Sequence, residues 1–222
     1  MGEITQEKIN NSIEMASDLV KLEKIKVPWM EVAKKEAQDY KGYKEQDSKL
    51  GKRIEEYSKK VRETGWQKHN WCAMFVNWCI LNGDPAYDIM KKPKVSDSYE
   101  SGRSASFKKY PQIYKKISKP VYGAIAVFIK HSNKNEGHTT FLYKLGSNGE
   151  LLCLGGNQSD SITLSEYYEK NKSNSLEGFY LPTDYEFSDD EILEPEKYDI
   201  KELMKELFDD EEMILANPNE TS

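Results

Sequence analysis

The chain has 222 residues, of which 37% are hydrophobic and 32% charged, and its formal net charge is −6. This length suits one domain with extensions, and the longest purely apolar run, residues 124–129, is far shorter than the roughly 20 residues that span a bilayer. The N-terminus is polar and acidic, unlike an export signal with its basic head and apolar stretch, so we expect synthesis in the cytoplasm and no membrane insertion.

The charge is distributed unevenly along the chain. Residues 184–222 contain 15 acidic residues and three lysines, a net charge of −12, which leaves +6 on residues 1–183. A mildly basic body favours anionic targets such as a cell-wall polymer or a nucleic acid, whereas the acidic tail opposes such contact or binds a different partner. It is equally consistent with the sequence that both regions are simply solvated surface.

Helices are predicted first along the chain, where apolar residues recur at helical spacing. One lies in an N-terminal extension, residues 1–27. The next begins at Pro28, which suits the first helical position, and a third follows Ser48 and stops near Thr64. A fourth follows Asn70, a good N-cap, and its sequence, "NWCAMFVNWC", carries two of the three cysteines.

The second half of the chain has the pattern of a β-sheet. A short helix in "SGRSASFKKY" precedes five predicted antiparallel strands, "GAIAVFIK", "HTTFLYKL", "ELLCLGG", "SITLSEY" and "EGFYLP". Helices followed by a segregated sheet predict an α+β domain over residues 28–183. Residues 184–222 are an acidic linker and a last helix, whose apolar stripe over residues 200–208 should dock on some other surface.

Cys72 differs from the other two cysteines by its position. Cys72 and Cys79 are seven residues apart on a helix, about 10.5 Å along the axis, which is too far for a disulfide. Cys79 and Cys153 lie among apolar residues and are predicted to be core side chains in a reduced protein. Cys72 falls in the first helical turn, where free N–H groups can lower a thiol pKa and favour a thiolate.

A thiolate becomes a catalytic nucleophile when an imidazole can reach it and a third group orients that imidazole. His138 opens a predicted strand, whereas His131 lies in a polar loop and His69 precedes the helix. Asn157 follows the next strand and so lies at the same end of an antiparallel pair as His138. From these positions alone, a purely structural role for His138 and a turn role for Asn157 are the simpler interpretations.

Five stretches together carry a family resemblance: "PWMEVAKKEA", "NWCAMFVNWC", "GAIAVF", "GHTTFLY" and "LGGNQSDSI". Over roughly residues 28–182 the chain resembles the CHAP/NlpC-like cysteine amidohydrolases and peptidases of the papain-like superfamily, particularly the peptidoglycan hydrolases. The resemblance implies a papain-like fold with Cys72 as nucleophile, His138 as general base and acid, and Asn157 as the orienting residue. The chain departs from the family's pattern at Gly123-Ala124, where Gly-Asp is usual, and at Thr140, where a glycine near the cleft is usual.

The activity implied by the resemblance is hydrolysis of a peptidoglycan amide bond, by an amidase or endopeptidase, through a thioester and without a metal or organic cofactor. The implied partners are peptidoglycan or its stem peptides rather than nucleic acid, with an immunity protein, chaperone or secretion component as further candidates. Gln67 is a candidate oxyanion donor. The candidate cleft residues are Trp71, Ser101, Arg103 and Thr140.

A wall hydrolase without a signal peptide must reach the periplasm or cell wall by non-Sec export or lysis. A delivered antibacterial effector is the first expectation and a phage endolysin the second. The acidic tail is then a docking element or a brake over the basic cleft. Three competing hypotheses are a cysteine protease acting on protein, a non-catalytic binding module, and a metal site built from His69, Cys72, His131 and His138, for which no paired ligand spacing exists.

Overall fold

The computed structural model of the protein describes residues 27–61, 70–87 and 102–208. In these ranges five α-helices accompany one six-stranded antiparallel sheet, which confirms the predicted α+β class. The predicted helix of residues 1–27 lies outside the described ranges. None of the helices in the described ranges is long and apolar enough to cross a membrane.

The helices occupy the predicted places. Pro28 stands in the first turn of the first helix, where its missing N–H costs nothing. The helix predicted to follow Asn70 is the third of the described helices and begins at Cys72, two residues after Asn70. Trp71 lies between them, and its carbonyl accepts the Phe75 N–H at 3.0 Å. The helices are α1 (Pro28–Asp39), α2 (Ser48–Lys60), α3 (Cys72–Gly83), α4 (Ser106–Lys109) and α5 (Ile200–Phe208).

The sheet has the strand order β1-β6-β2-β3-β4-β5. Its strands are β1 (Tyr114–Ile117), β2 (Ile125–Lys130), β3 (Gly137–Leu145), β4 (Leu151–Gln158), β5 (Ser161–Tyr167) and β6 (Asn174–Pro182). Five of them match the predicted strands. The sixth, β1, was not predicted because its four residues include two lysines, too short and too polar for a strand pattern.

Helix α3 lies against one face of the sheet and is almost entirely buried. The sheet residues in that core include Ile125, Val127, Phe141, Leu152 and Leu154. A smaller cluster covers the other face and consists of Ala126, Phe128, Leu142, Leu151, Cys153 and Tyr167. Cys79 and Cys153 are fully buried, and all three cysteines are free, as predicted.

The C-terminal segment packs back onto the body. Helix α5 lies against α1 and buries the apolar stripe Leu203, Met204, Leu207 and Phe208, which confirms the predicted docking. From α1 and the turn after it, Gln38 Nε2 donates to the Leu207 carbonyl at 3.0 Å and Lys41 Nζ to the Phe208 carbonyl at 3.1 Å. These bonds satisfy carbonyls that the end of a helix leaves without partners.

Candidate active site

Cys72 is the first residue of α3, and its side chain is buried, with 2% exposure. Burial raises the pKa of the thiol to about 11, although the backbone N–H groups of Thr139, Ala73 and Cys72 itself pull it down. The expectation of a lowered thiol pKa is therefore wrong for this structure. Desolvation penalises the thiolate more than the N–H groups at the helix start stabilise it.

The Thr139 N–H contacts the thiol at the end of the sheet where β3 and β4 are not paired. Strand β3 pairs with β4 only from Phe141 onward, so its first residues pair with β2 alone. Leu142 donates its N–H toward β2, to the Ala124 carbonyl at 2.8 Å. Because N–H groups alternate in direction along a strand, the Thr139 N–H points away from β2, into the gap that the Cys72 thiol occupies.

His138 directly precedes Thr139 on β3 and lies opposite Phe128 on β2. Its side chain is 7% exposed, and burial lowers the pKa of the imidazole to about 4. The ring is therefore uncharged at neutral pH, as a general base must be. Its Nε2 atom lies 3.4 Å from Oε1 of Gln158.

The orientation of the Gln158 amide follows from its surroundings. Its Nε2 donates to the carbonyls of Thr163 and, at 3.4 Å, Cys153. Carbonyl oxygens only accept, so the NH₂ group must face them and Oε1 must face the imidazole. His138 therefore carries its proton on Nε2 and leaves Nδ1 as the proton acceptor. This tautomer is assigned from the hydrogen-bond pattern.

Two hydroxyl groups share the same amide oxygen. Thr140 Oγ1 donates to Gln158 Oε1 at 3.0 Å, and the Tyr167 hydroxyl donates to it at 3.3 Å. Gln158 is fully buried, as is Thr140. The imidazole thus belongs to a buried polar network formed by side chains of β3, β4 and β5.

The contact to the imidazole comes from Gln158, the neighbour of the predicted third residue Asn157. Asn157 has a φ of 59°, the left-handed conformation of a turn residue. Cys153 and Gly155 face the same side of the sheet as His138, so strict alternation would put residue 157 there. The register shifts between Gly155 and Gln158, and this irregularity brings Gln158 to that side instead.

Two consecutive glycines allow this close packing. A Cβ atom on Gly155 would overlap the Thr140 hydroxyl, and one on Gly156 would overlap the rings of Trp71 and Phe75. The "LGGNQ" stretch is therefore compressed between the polar network on one face and the start of α3 on the other. A side chain at either position requires its neighbours to move.

The predicted cleft residues have varied positions. Trp71 is fully buried, and its Nε1 donates to Glu45 Oε2 at 2.7 Å, so it packs in the core rather than lining an open cleft. Thr140 is buried within the Gln158 network, and Arg103 is exposed in the turn before α4. Gln67 and Ser101 lie outside the described residues.

The histidines do not gather around Cys72 as a metal site would require. The His131 ring nitrogens face the Lys172 carbonyl at 3.2 Å and Ser175 Oγ at 2.7 Å, and His69 lies outside the described ranges. Within residues 27–61, 70–87 and 102–208, no three side chains of His, Cys, Asp or Glu form a group that could hold a metal ion.

Comparisons of the chain with protein-family models, with curated proteins and with solved structures find no match. The site consists of a buried thiol at a helix start, next to the Thr139 N–H, and an uncharged imidazole on the preceding residue of β3, whose Nε2 faces the amide oxygen of Gln158.

Proposed function

We propose that the protein is a cysteine hydrolase of papain-like fold that cleaves an amide bond in peptidoglycan through a thioester on Cys72. The observation that supports this most directly is the local geometry. The thiol sits at the first residue of α3 against the N–H of Thr139, and the next residue back along β3 is His138, with its Nε2 facing Gln158. In this proposal α3 supplies the nucleophile, β3 the base and β4 the orienting group.

The reaction begins from a neutral pair, because the thiol pKa is raised and the imidazole pKa lowered. Sulfur attacks the amide carbonyl while His138 Nδ1 takes the thiol proton, and a C–S bond forms. The C–N bond then breaks as the imidazolium returns that proton to the leaving amine. Water attacks the thioester with His138 again as base, which releases the acid and restores the thiol.

Backbone N–H groups at the start of α3 are the candidate donors to the oxyanion. The first N–H groups of a helix have no intrahelical partner, and the helix dipole adds positive potential there. Gln67 remains a proposed additional donor. Such pre-oriented donors act where negative charge develops on the carbonyl oxygen.

The substrate class rests on the motif resemblance and on charge. The net charge of +6 on residues 1–183 suits an anionic wall polymer. The bond is either the amide between muramic acid and L-alanine or a peptide bond of the stem or cross-bridge. Delivery into a competing cell, as an antibacterial effector, is the proposed biological setting, and release by lysis, as for phage endolysins, is the second.

The test is digestion of purified peptidoglycan by the wild type, Cys72→Ala and Cys79→Ala, with mass spectrometry of the soluble products. Cys79 is the matched control because it is a buried thiol of the same helix, away from its start. Wild type and Cys79→Ala should release the same muropeptides and Cys72→Ala none, and the product masses identify the bond. Equal release by all three proteins would refute the role of Cys72.

A second candidate function is a non-catalytic binding module, and the burial of both reacting groups favours it, since Cys72 is 2% and His138 7% exposed. Such a module would bind the polymer without cleaving it. Sedimentation with insoluble peptidoglycan separates the two functions: equal pelleting of wild type and Cys72→Ala with no released fragments identifies the binding module.

A further inference from the structure

Tyr167, the last residue of β5, packs on the imidazole. Its ring stacks on His138 with centroids 5.5 Å apart and an interplanar angle of 20°. Its other neighbour is Phe128, stacked at 4.9 Å and 28°, which lies opposite His138 on β2. Tyr167 is 4% exposed, so its ring is buried against the imidazole.

The hydroxyl of Tyr167 contacts Gln158, whose amide oxygen also faces the imidazole. It donates to Gln158 Oε1 at 3.3 Å, the oxygen that faces His138 Nε2 at 3.4 Å. One side chain therefore contacts the base through its ring and the base's orienting amide through its hydroxyl. A buried tyrosine usually finds a hydrogen-bond partner for its hydroxyl, and here that partner is the amide that also contacts the imidazole.

We propose that Tyr167 is a positioning residue for the reaction, which holds the His138 imidazole flat by stacking and fixes the Gln158 amide through its hydroxyl. This inference rests on the proposed function of Cys72 and His138. The stack restrains rotation of the imidazole about its side-chain bonds, and the hydroxyl keeps Oε1 directed at Nε2. Together they maintain the tautomer in which Nδ1 accepts the thiol proton.

The experiment compares Tyr167→Phe, which keeps the ring and loses the hydroxyl, with Tyr167→Leu, which loses both. Tyr168→Phe is the matched control, because Tyr168 is the next residue and is 46% exposed. The first readout is the ¹⁵N spectrum of the histidine rings, in which the shifts of the two nitrogens reveal the protonated one. His138 is identified as the signal missing from His138→Gln. The second readout is the rate of muropeptide release from purified peptidoglycan.

Tyr167→Phe should lower the rate about 3- to 10-fold, as expected for one neutral hydrogen bond. Tyr167→Leu should lower it about 30-fold or more, because the aromatic contact is lost as well. Both should increase the fraction of the Nδ1–H tautomer, Leu more than Phe. Tyr168→Phe should match the wild type in both readouts.

A folded Tyr167→Leu protein with the wild-type tautomer and rate would overturn the proposal. If the leucine variant does not fold, the phenylalanine variant decides, and wild-type values in both readouts overturn the proposal. The ring spectrum needs no substrate. If the wild type cleaves no peptidoglycan, the proposed function fails, while the tautomer populations still decide the role of Tyr167.

Discussion

Replacing Gln158 with methionine tests the assignment of the orienting residue. Methionine has a similar length and volume, so Gln158→Met removes the polar contacts while filling the same space. The amide makes hydrogen bonds with the side chains of His138, Thr140 and Tyr167 and with the carbonyls of Cys153 and Thr163. All of these contacts are buried.

The expected stability change follows from that network. Each buried donor or acceptor left without a partner costs about 1–3 kcal/mol, and neighbouring losses do not add fully. We expect Gln158→Met to lower the free energy of unfolding by about 3–4 kcal/mol. The rate of amide hydrolysis should fall by about 10²–10⁴-fold, the usual contribution of a positioned general acid–base group.

Asn157→Gly is the comparison variant, because glycine adopts the left-handed conformation that Asn157 has at φ 59°. It should keep the wild-type rate and stability. The assays are urea unfolding followed by fluorescence and release of muropeptides from purified peptidoglycan. Loss of activity in Asn157→Gly together with a near-wild-type rate in Gln158→Met would refute the assignment and restore Asn157 as the orienting residue.

Three further predictions concern ionisation and packing. The pKa of His138 is about 4 in the folded protein and about 6.5 in the unfolded chain, so on acidification the unfolded chain takes up the imidazole proton first. The free energy of unfolding should therefore be constant above about pH 6.5 and fall by about 3 kcal/mol between there and pH 4. Urea unfolding at both pH values should show this loss for the wild type and not for His138→Gln. Iodoacetamide alkylation of Cys72 should accelerate about tenfold per pH unit from neutral pH toward 11, and a plateau near neutrality would contradict the raised thiol pKa. A chain ending at residue 199 should be at least about 4 kcal/mol less stable than one ending at 208, because it lacks the buried apolar face of α5, and equal urea midpoints would disprove that contribution.

Helices α1, α2 and α5 were predictable because apolar residues recur along them at helical spacing. Pro28 begins α1, and the stripe from Ile200 to Phe208 defines α5 without reference to the rest of the chain. Strand β1 lacks such a pattern. It joins the sheet because Tyr114 to Ile117 pair with Phe179 to Pro182 of β6, a long-range contact that a four-residue stretch does not reveal.

The places of Cys72 and His138 in the fold were predictable from the sequence, whereas the contacts around them were not. Cys72 lies at a helix start and His138 at the beginning of a strand, as the sequence patterns indicate. The contact from Gln158 depends on a shift in register along β4, which strand alternation cannot reveal. The pKa of Cys72 depends on how deeply the fold buries the thiol, and a helix N-terminus alone does not specify that depth.

The amide oxygen of Gln158 is approached by more donors than it can bind well. A carbonyl oxygen offers two lone pairs, yet donors approach it at 3.0, 3.3 and 3.4 Å, and the imidazole is the most distant of them. The two hydroxyls therefore anchor the oxygen, and the histidine is held most weakly. The stack on Tyr167 therefore restrains the imidazole more than this hydrogen bond does, and the hydrogen bonds of the two hydroxyls to Gln158 would persist if the ring lost its contact to the amide.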